Sequence, residues 1–463
     1  MLTQPPAPAY FDPAALTAFQ AALNQLGQGF ADLPDFEGLP TDPAALEQVL
    51  REVAERLRDN YPYFHPLYAG QMLKPPHPVA RLAYMLALWI NPNNHALDGG
   101  RASSHMEKEA VAQLARMFGW QTHLGHLTSG GTVANLEALW VAGRLRPETT
   151  VVASTQAHYT HARISAVLGL PFEPIACDPY GRLDADALEA RLRQGGVGTV
   201  VATLGATATG AVDPLPRLLV LREQYGFRLH ADAAYGGYFG LARTLGSPAR
   251  AAFDCLGEAD SIVVDPHKHG LQPYGCGSVL FRDPTVARFY KHDSPYTYFT
   301  SAELHLGEIS LECSRAGAAA VALWATLRLF PLEPGGAFAA HLERSRAAAL
   351  DLQARLEQDT RFVTAFAPEL DIVVWAPRAA SAAEASRRAR AIFAEAARRN
   401  LHLALADLPT EFFGSIAPEF AASGDTVTCL RSVLMKAEHA DWVDHIYAVL
   451  GEAATAALGQ PAA

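Results

Sequence analysis

Five short runs rich in β-branched residues, at 150–153, 199–204, 227–231, 261–264 and 278–281, alternate with helical segments between Arg101 and about Arg328. Parallel strands cannot be joined by tight turns, so this alternation calls for helical crossovers. Strands covered on both faces need no polar side and read as near-continuous apolar runs. The pattern predicts an α/β domain over residues 101–330, with a mostly parallel central sheet and helices on both faces.

A chain of 463 residues exceeds the size at which one hydrophobic core stops growing, so further units are expected. Pro331, Pro334, Gly335 and Gly336 punctuate the chain after the α/β region. Beyond them come a helix carrying Leu342, Ala349, Leu352 and Leu356, a strand near 371–375 and an Ala/Arg-rich helix at 382–399. Strands near 401–406 and 426–435 and a last helix at 439–458 follow. These predict a smaller C-terminal α+β domain over 331–463. Ahead of the α/β domain, residues 1–100 read as a helical segment. Leu16, Phe19 and Leu23, then Leu46, Val49, Leu50, Val53 and Leu57, recur at helical spacing. Proline-rich loops (YPYFHP, KPPHP, NPNN) then flank an apolar helix at 79–90. Such helices need a surface to cover, supplied by a second copy in a homodimer or by the chain's own core.

Composition narrows the function. The net charge of −11 is dispersed, and no Lys/Arg run is interleaved with aromatics, which argues against a nucleic-acid surface. Cys177, Cys255, Cys276, Cys313 and Cys429 are scattered without a C-x-x-C pair, so neither a disulfide framework nor a metal site is expected. Residues 1–10 lack a basic and an apolar signal region, and no stretch reaches about 18 apolar residues. A cytoplasmic enzyme acting on a small molecule, with no membrane or nucleic-acid partner, is the expectation.

Ligand-binding residues gather beyond the carboxyl ends of the strands in an open parallel sheet. Three polar clusters fall there. HLTSGGT at 126–132 opens an apolar helix at 133–143, a turn that can present backbone N–H groups to a phosphate and can equally be an ordinary helix cap. The run 227–231 ends in Asp232-Ala233-Ala234-Tyr235, placing a carboxylate beside small residues; it could also simply cap the next turn. The run 261–264 leads into Asp265-Pro266-His267-Lys268-His269, setting an amine between two imidazoles, although a lone loop lysine is usually solvated. Together they supply a phosphate cradle, an acid and an amine on one rim, the parts a pyridoxal 5'-phosphate (PLP) site needs.

At these residues the chain resembles the fold-type I, group II PLP-dependent amino-acid decarboxylases, whose members act on aromatic amino acids, glutamate, tyrosine, aspartate and related substrates. The likeness covers roughly residues 61–450. It rests on TSGGTVANLEAL at 128–139, QAHYTHARISAVLGL at 156–170, HADAAYGG at 230–237 and DPHKHG at 265–270. It implies decarboxylation of an L-amino acid, aromatic or acidic, through a Lys268 Schiff base. In this family's terms Gly131 and Thr132 bind the phosphate, His158 stacks on the ring and Thr207 lies beside it. Asp232 pairs with the ring nitrogen, Ala234 is the small residue against the ring, and His267 precedes Lys268.

The resemblance further places Tyr296 or Tyr298 in a loop whose tyrosine returns a proton to Cα. It makes Arg431, in CLRSVLM, a candidate for the substrate carboxylate, with a structural salt bridge as the other reading. Arg315 reaches a phosphate or is structural. Val133 and Gly99-Gly100-Arg101 depart from common relatives, which leaves specificity open. His65, Tyr68, Trp89, His95 and Arg101 are candidates for the side-chain pocket, and are as readily packing residues. The same Asp/Lys layout serves aldehyde lyases such as the sphingosine-phosphate lyases, and aminotransferases. A non-catalytic binding protein on this fold is a more distant reading.

Overall fold

The computed structural model describes residues 13–291 and 303–459. A seven-stranded sheet is built from β1 (Leu124–Thr128), β2 (Thr150–Ser154), β3 (Phe172–Ile175), β4 (Val197–Thr203), β5 (Arg228–Asp232), β6 (Ser261–Val264) and β7 (Gly277–Phe281), in the order β1-β7-β6-β5-β4-β2-β3. The pairs among β3, β2, β4, β5 and β6 are parallel, while β7 runs antiparallel to both β6 and β1. Two reversals restore direction, so β1 points the same way as β6.

The five predicted runs are all strands, and β2, β5, β6 and β7 are buried or nearly so along their whole length, as helices on both faces require. Two strands had no β-branched signature. In β1, Gly125 sits where a Cβ would come within 2.5 Å of Leu280 Cδ2 and 2.9 Å of the Val279 carbonyl, so close approach to β7 selects glycine. β3 carries Pro174 and lies at the sheet edge, where a missing N–H costs no ladder bond.

A second, antiparallel sheet has the order β10-β11-β9-β8, from β8 (Phe362–Thr364), β9 (Ile372–Pro377), β10 (Ala404–Pro409) and β11 (Thr426–Val433). The helices Ala337–Gln358, Ala382–Arg398 and His439–Leu458 pack on it around Trp375, Leu352, Ile392 and Ile446. β10 begins three residues later than the pattern at 401–406 implied. Leu401 instead packs in this core, and the neighbouring His402 N–H bonds the Leu67 carbonyl.

The N-terminal helices Pro13–Gln28 and Pro43–Leu57 bury no residue, whereas Pro78–Leu88 packs on Gly317–Leu329.

Candidate active site

Because β1, β2, β4, β5 and β6 share one direction, their carboxyl ends open on one rim. A cavity of about 300 Å³ lies there. Its wall carries Gly131, Thr132, His158, Thr207, Asp232, Ala234, His267 and Lys268, bringing together from five segments the residues that the resemblance assigns to the cofactor. Asn135, Thr160, Thr203, Tyr235 and Asp265 also line it.

After β1 the chain turns directly into the helix Gly131–Leu145, whose first-turn N–H groups have no intrahelical acceptor. The Ser129 N–H is already given to Glu312 Oε2 at 2.9 Å. At Gly131 a Cβ would fall 2.6 Å from Asp265 Oδ2, so only glycine lets this turn close on the lysine loop. That loop is tight: the Lys268 N–H donates to the Asp265 carbonyl, and Lys268 Nζ lies 3.2 Å from Asp265 Oδ2.

Asp232 ends β5 with its carboxylate almost wholly buried. Oδ2 meets His161 Nε2 at 2.8 Å and Oδ1 accepts from the Ala234 N–H at 3.2 Å. Burial alone would raise its pKa, but the His161 hydrogen bond and charge, with Lys268 and His230, outweigh it and hold the carboxyl well below its usual range. Asp232 is therefore a fixed negative charge. His230 bonds Asn135 Oδ1 (2.8 Å) and Ser261 Oγ (2.9 Å), and burial lowers it to about 3. A neutral ring in that setting donates to the amide oxygen and accepts from the hydroxyl. His158 is half-buried, stacked on Tyr159 with ring centroids 4.4 Å apart; burial lowers it, against a smaller opposing pull from Asp232.

The residues fit a phosphorylated, protonatable ring aldehyde. Asp265 Oδ1, Thr203 Oγ1 and His267 Nδ1 are buried cavity-wall atoms without a hydrogen-bond partner among the described residues, as expected of groups waiting for a polar ligand.

Other sequence candidates lie elsewhere. Tyr296 and Tyr298 fall outside the described residues. Arg431 stands behind Thr207 rather than on the cavity wall, donating to the carbonyls of Thr207 (2.6 Å), Ala208 (3.0 Å) and Gly70 (3.2 Å). Arg315 lies off the cavity wall, where its Nη1 pairs with Glu107 at 2.9 Å and donates to the Leu127 carbonyl, bracing β1. His65 packs on Trp442, Trp89 on Phe30 and Tyr68 on His402, while Arg101 is exposed; none of these, nor His95, lines the cavity. His161, Asp265 and Asn135 were missed. His161 had a signal, since it shares the buried face of the helix Thr160–Leu168 with Ile164 and Ser165, where a histidine needs a partner.

The histidines set an acid limit on stability. His230 and His439 both fall to about 3 through burial, so between pH 3 and about 6.5 the unfolded chain binds protons that the folded one refuses. Stability rises with pH across that window, each histidine contributing on the order of 4 kcal/mol. Asp232 and Asp371 are depressed carboxylates whose contribution is present above about pH 4 and lost below it. The depressed lysines Lys74 and Lys436 already lower stability as pH falls toward about 7, and Asp213, which burial raises to about 7, offsets one histidine below that. Thermal midpoints measured from pH 8 downward are therefore expected to keep falling below pH 6.5 and to steepen below about 4. A flat profile to pH 5 would contradict the buried neutral histidines.

A pyridoxal-dependent decarboxylase conserved domain matches residues 136–377. An L-tyrosine decarboxylase of Enterococcus faecium is 27% identical over 415 residues, covering 68% of this chain and 67% of that protein. An L-aspartate decarboxylase of Thermococcus kodakarensis is 31% identical over 294 residues, covering 62% and 74%. Among solved structures, Oryza sativa TDC with PLP and tryptamine superposes with a TM-score of 0.77 at 17% identity, covering 98% of this chain and 99% of that one. Mouse CSAD in apo form gives 0.76 at 19%, covering 97% and 100%. At such identities the likeness speaks for the fold, which is that of the fold-type I decarboxylases.

Proposed function

Because the chain belongs to the pyridoxal-dependent decarboxylase family, we propose that it releases CO2 from an L-amino acid whose side chain is aromatic or acidic, with pyridoxal phosphate held at Lys268. The observation carrying this is the meeting of Lys268, Asp232, His158 and the Gly131–Thr132 turn on one cavity wall. The names of the tyrosine and aspartate decarboxylases it resembles support the two substrate classes.

Bound there, pyridoxal phosphate supplies an electron sink for the bonding pair that the departing carboxylate leaves behind. Lys268 Nζ is the covalent anchor, and Asp265 beside it is its ion-pair partner at 3.2 Å. Asp232 would offer a fixed negative charge to the ring nitrogen, and His161 keeps Asp232 ionised and oriented. The first turn of Gly131–Leu145 binds the phosphate. His158, Thr207, Ala234 and His267 shape the space for the ring. Arg431, spent on the Thr207 and Ala208 carbonyls, holds that loop in place and reaches a substrate carboxylate only by exchanging one of them. Tyr296 or Tyr298 is assigned the proton delivered to Cα.

The test is a screen of the standard amino acids for CO2 and amine in the presence of PLP. Tyramine or tryptamine selects the aromatic class; β-alanine or γ-aminobutyrate selects the acidic one. Keto acids or aldehydes without CO2 would replace the reading by transamination or aldehyde cleavage.

A homodimer is part of the same reading. The helix Pro43–Leu57 exposes Leu46, Val49, Leu50, Val53 and Leu57 at i, i+3, i+4, i+7 spacing, an apolar stripe with nothing covering it among the described residues. Sedimentation is expected at twice the mass of one chain. Leu50→Asp, which puts a charge on both sides of a two-fold contact, is expected to weaken dimerisation by roughly a hundredfold or more. A wild-type monomer would remove this part of the proposal. The five cysteines are all free thiols, which favours a cytoplasmic location; among the described residues no helix is long and apolar enough to cross a membrane.

A further inference from the structure

A second cavity, of about 230 Å³, lies between the segment 74–81, the helix Ala337–Gln358 and the turn that follows β11. Its wall is cationic: Lys74, Lys436, Arg81, His77 and His341, with Glu438, exposed, as the single carboxylate. Lys436 is only 4% exposed, and its Nζ donates to the Tyr68 carbonyl at 2.6 Å. Lys74 Nζ has the Met435 carbonyl at 3.4 Å. Among the described residues neither ammonium joins an ion pair. Asp371, a buried acid whose charge acts on Lys74, is committed to Tyr235 and His269.

Two ammonium groups facing one cavity, Lys436 buried and Lys74 half-buried, with only the exposed Glu438 carboxylate to offset them, are costly. Burial lowers Lys74 to about 8, and lowers Lys436 to about 7 with repulsion from Lys74 adding to it. Residues that only filled space here would be apolar, and residues that only tied the chain together would be paired with carboxylates. A bound dianion removes the cost at both positions. At about 30 Å³ per water, the cavity holds a tetrahedral oxyanion and either several waters or a short organic group.

We propose that this cavity binds a phosphate dianion, free or at the end of a small phosphate ester, between Lys74 and Lys436. The site is separate from the cofactor cavity and shares none of its wall residues. It touches the same loop, however: Leu271, three residues beyond Lys268, lines it, and the Leu271 carbonyl accepts the His77 N–H at 3.0 Å. Occupancy therefore stiffens the loop that carries the cofactor lysine.

The experiment titrates inorganic phosphate into the holoenzyme, cofactor site filled, in a zwitterionic buffer at constant ionic strength. Calorimetry is expected to show saturable binding and a rise in melting temperature that chloride does not reproduce. Lys74→Met and Lys436→Met are each expected to weaken binding by roughly ten- to a hundredfold, the worth of a charge-assisted hydrogen bond, while keeping the wild-type cofactor absorbance. In the absence of phosphate both variants melt at or above the wild type, because an unpaired buried charge is gone. Tighter binding of glycerol phosphate than of inorganic phosphate supports the ester; the reverse supports the free ion. No binding to the wild type, or equal binding to wild type and Lys74→Met, overturns the proposal and leaves the decarboxylase reading untouched.

Discussion

Lys268→Ala is expected to lower amine formation by at least roughly a thousandfold, since a covalent anchor and its local charge are lost together. The structure says how to separate these two losses from misfolding. The Lys268 side chain is partly exposed, and its ion-pair partner is Asp265, whose buried Oδ1 has no hydrogen-bond partner among the described residues. Removing the amine leaves that buried carboxylate without its cation, so Lys268→Ala also carries a stability cost. Lys268→Arg keeps the positive charge beside Asp265 and cannot form the imine. It is therefore expected to melt near the wild-type temperature yet remain as inactive as alanine. Borohydride reduction followed by peptide mapping should fix the cofactor on Lys268 in the wild type and on nothing in either variant. An arginine variant with a tenth of wild-type turnover would sink the assignment.

The second large effect concerns Asp232 and the histidine behind it. Asp232→Asn keeps the size but removes a buried, ionised partner, an interaction on the order of 3–5 kcal/mol and so roughly 10²- to 10⁴-fold in rate. His161→Phe leaves the carboxylate in place and removes its 2.8 Å partner. Burial, the influence that raises Asp232, then meets less opposition, and the carboxyl pKa moves up. Activity depends on the ionised form, so the variant loses turnover as pH falls, at a higher pH than the wild type does. The loss is expected to be about ten- to a hundredfold at pH 6 and smaller at pH 8. A uniformly slowed variant with an unshifted pH–rate profile would mark His161 as packing only.

How much of this was legible in advance depended on distance along the chain. The β-branched runs are local patterns, and all five became strands. Each chemically distinctive residue that ends such a run, Asp232 after β5 or the His267-Lys268 pair after β6, was visible because a strand end is a local event. β1 and β3 escaped, since Gly125 and Pro174 answer to neighbours and edges rather than to propensity. The candidates from 65–101 stayed open between pocket and packing for the same reason: an aromatic residue in a loop does not say which surface it will meet, and Tyr68 meets His402.

From the residues alone came the α/β class, the small second sheet, and the acid, amine and glycine turn at strand ends, because strand and helix periodicities are written within about ten neighbouring positions. Which groups touch was settled only by folding. His161 reaches Asp232 across 71 residues, Asn135 reaches His230 across 95 and Arg431 reaches Ala208 across 223. Sheet order and register set those pairings. No local pattern encodes how elements so far apart align, nor that Lys74 and Lys436 face one cavity with a single exposed carboxylate, Glu438, on its wall.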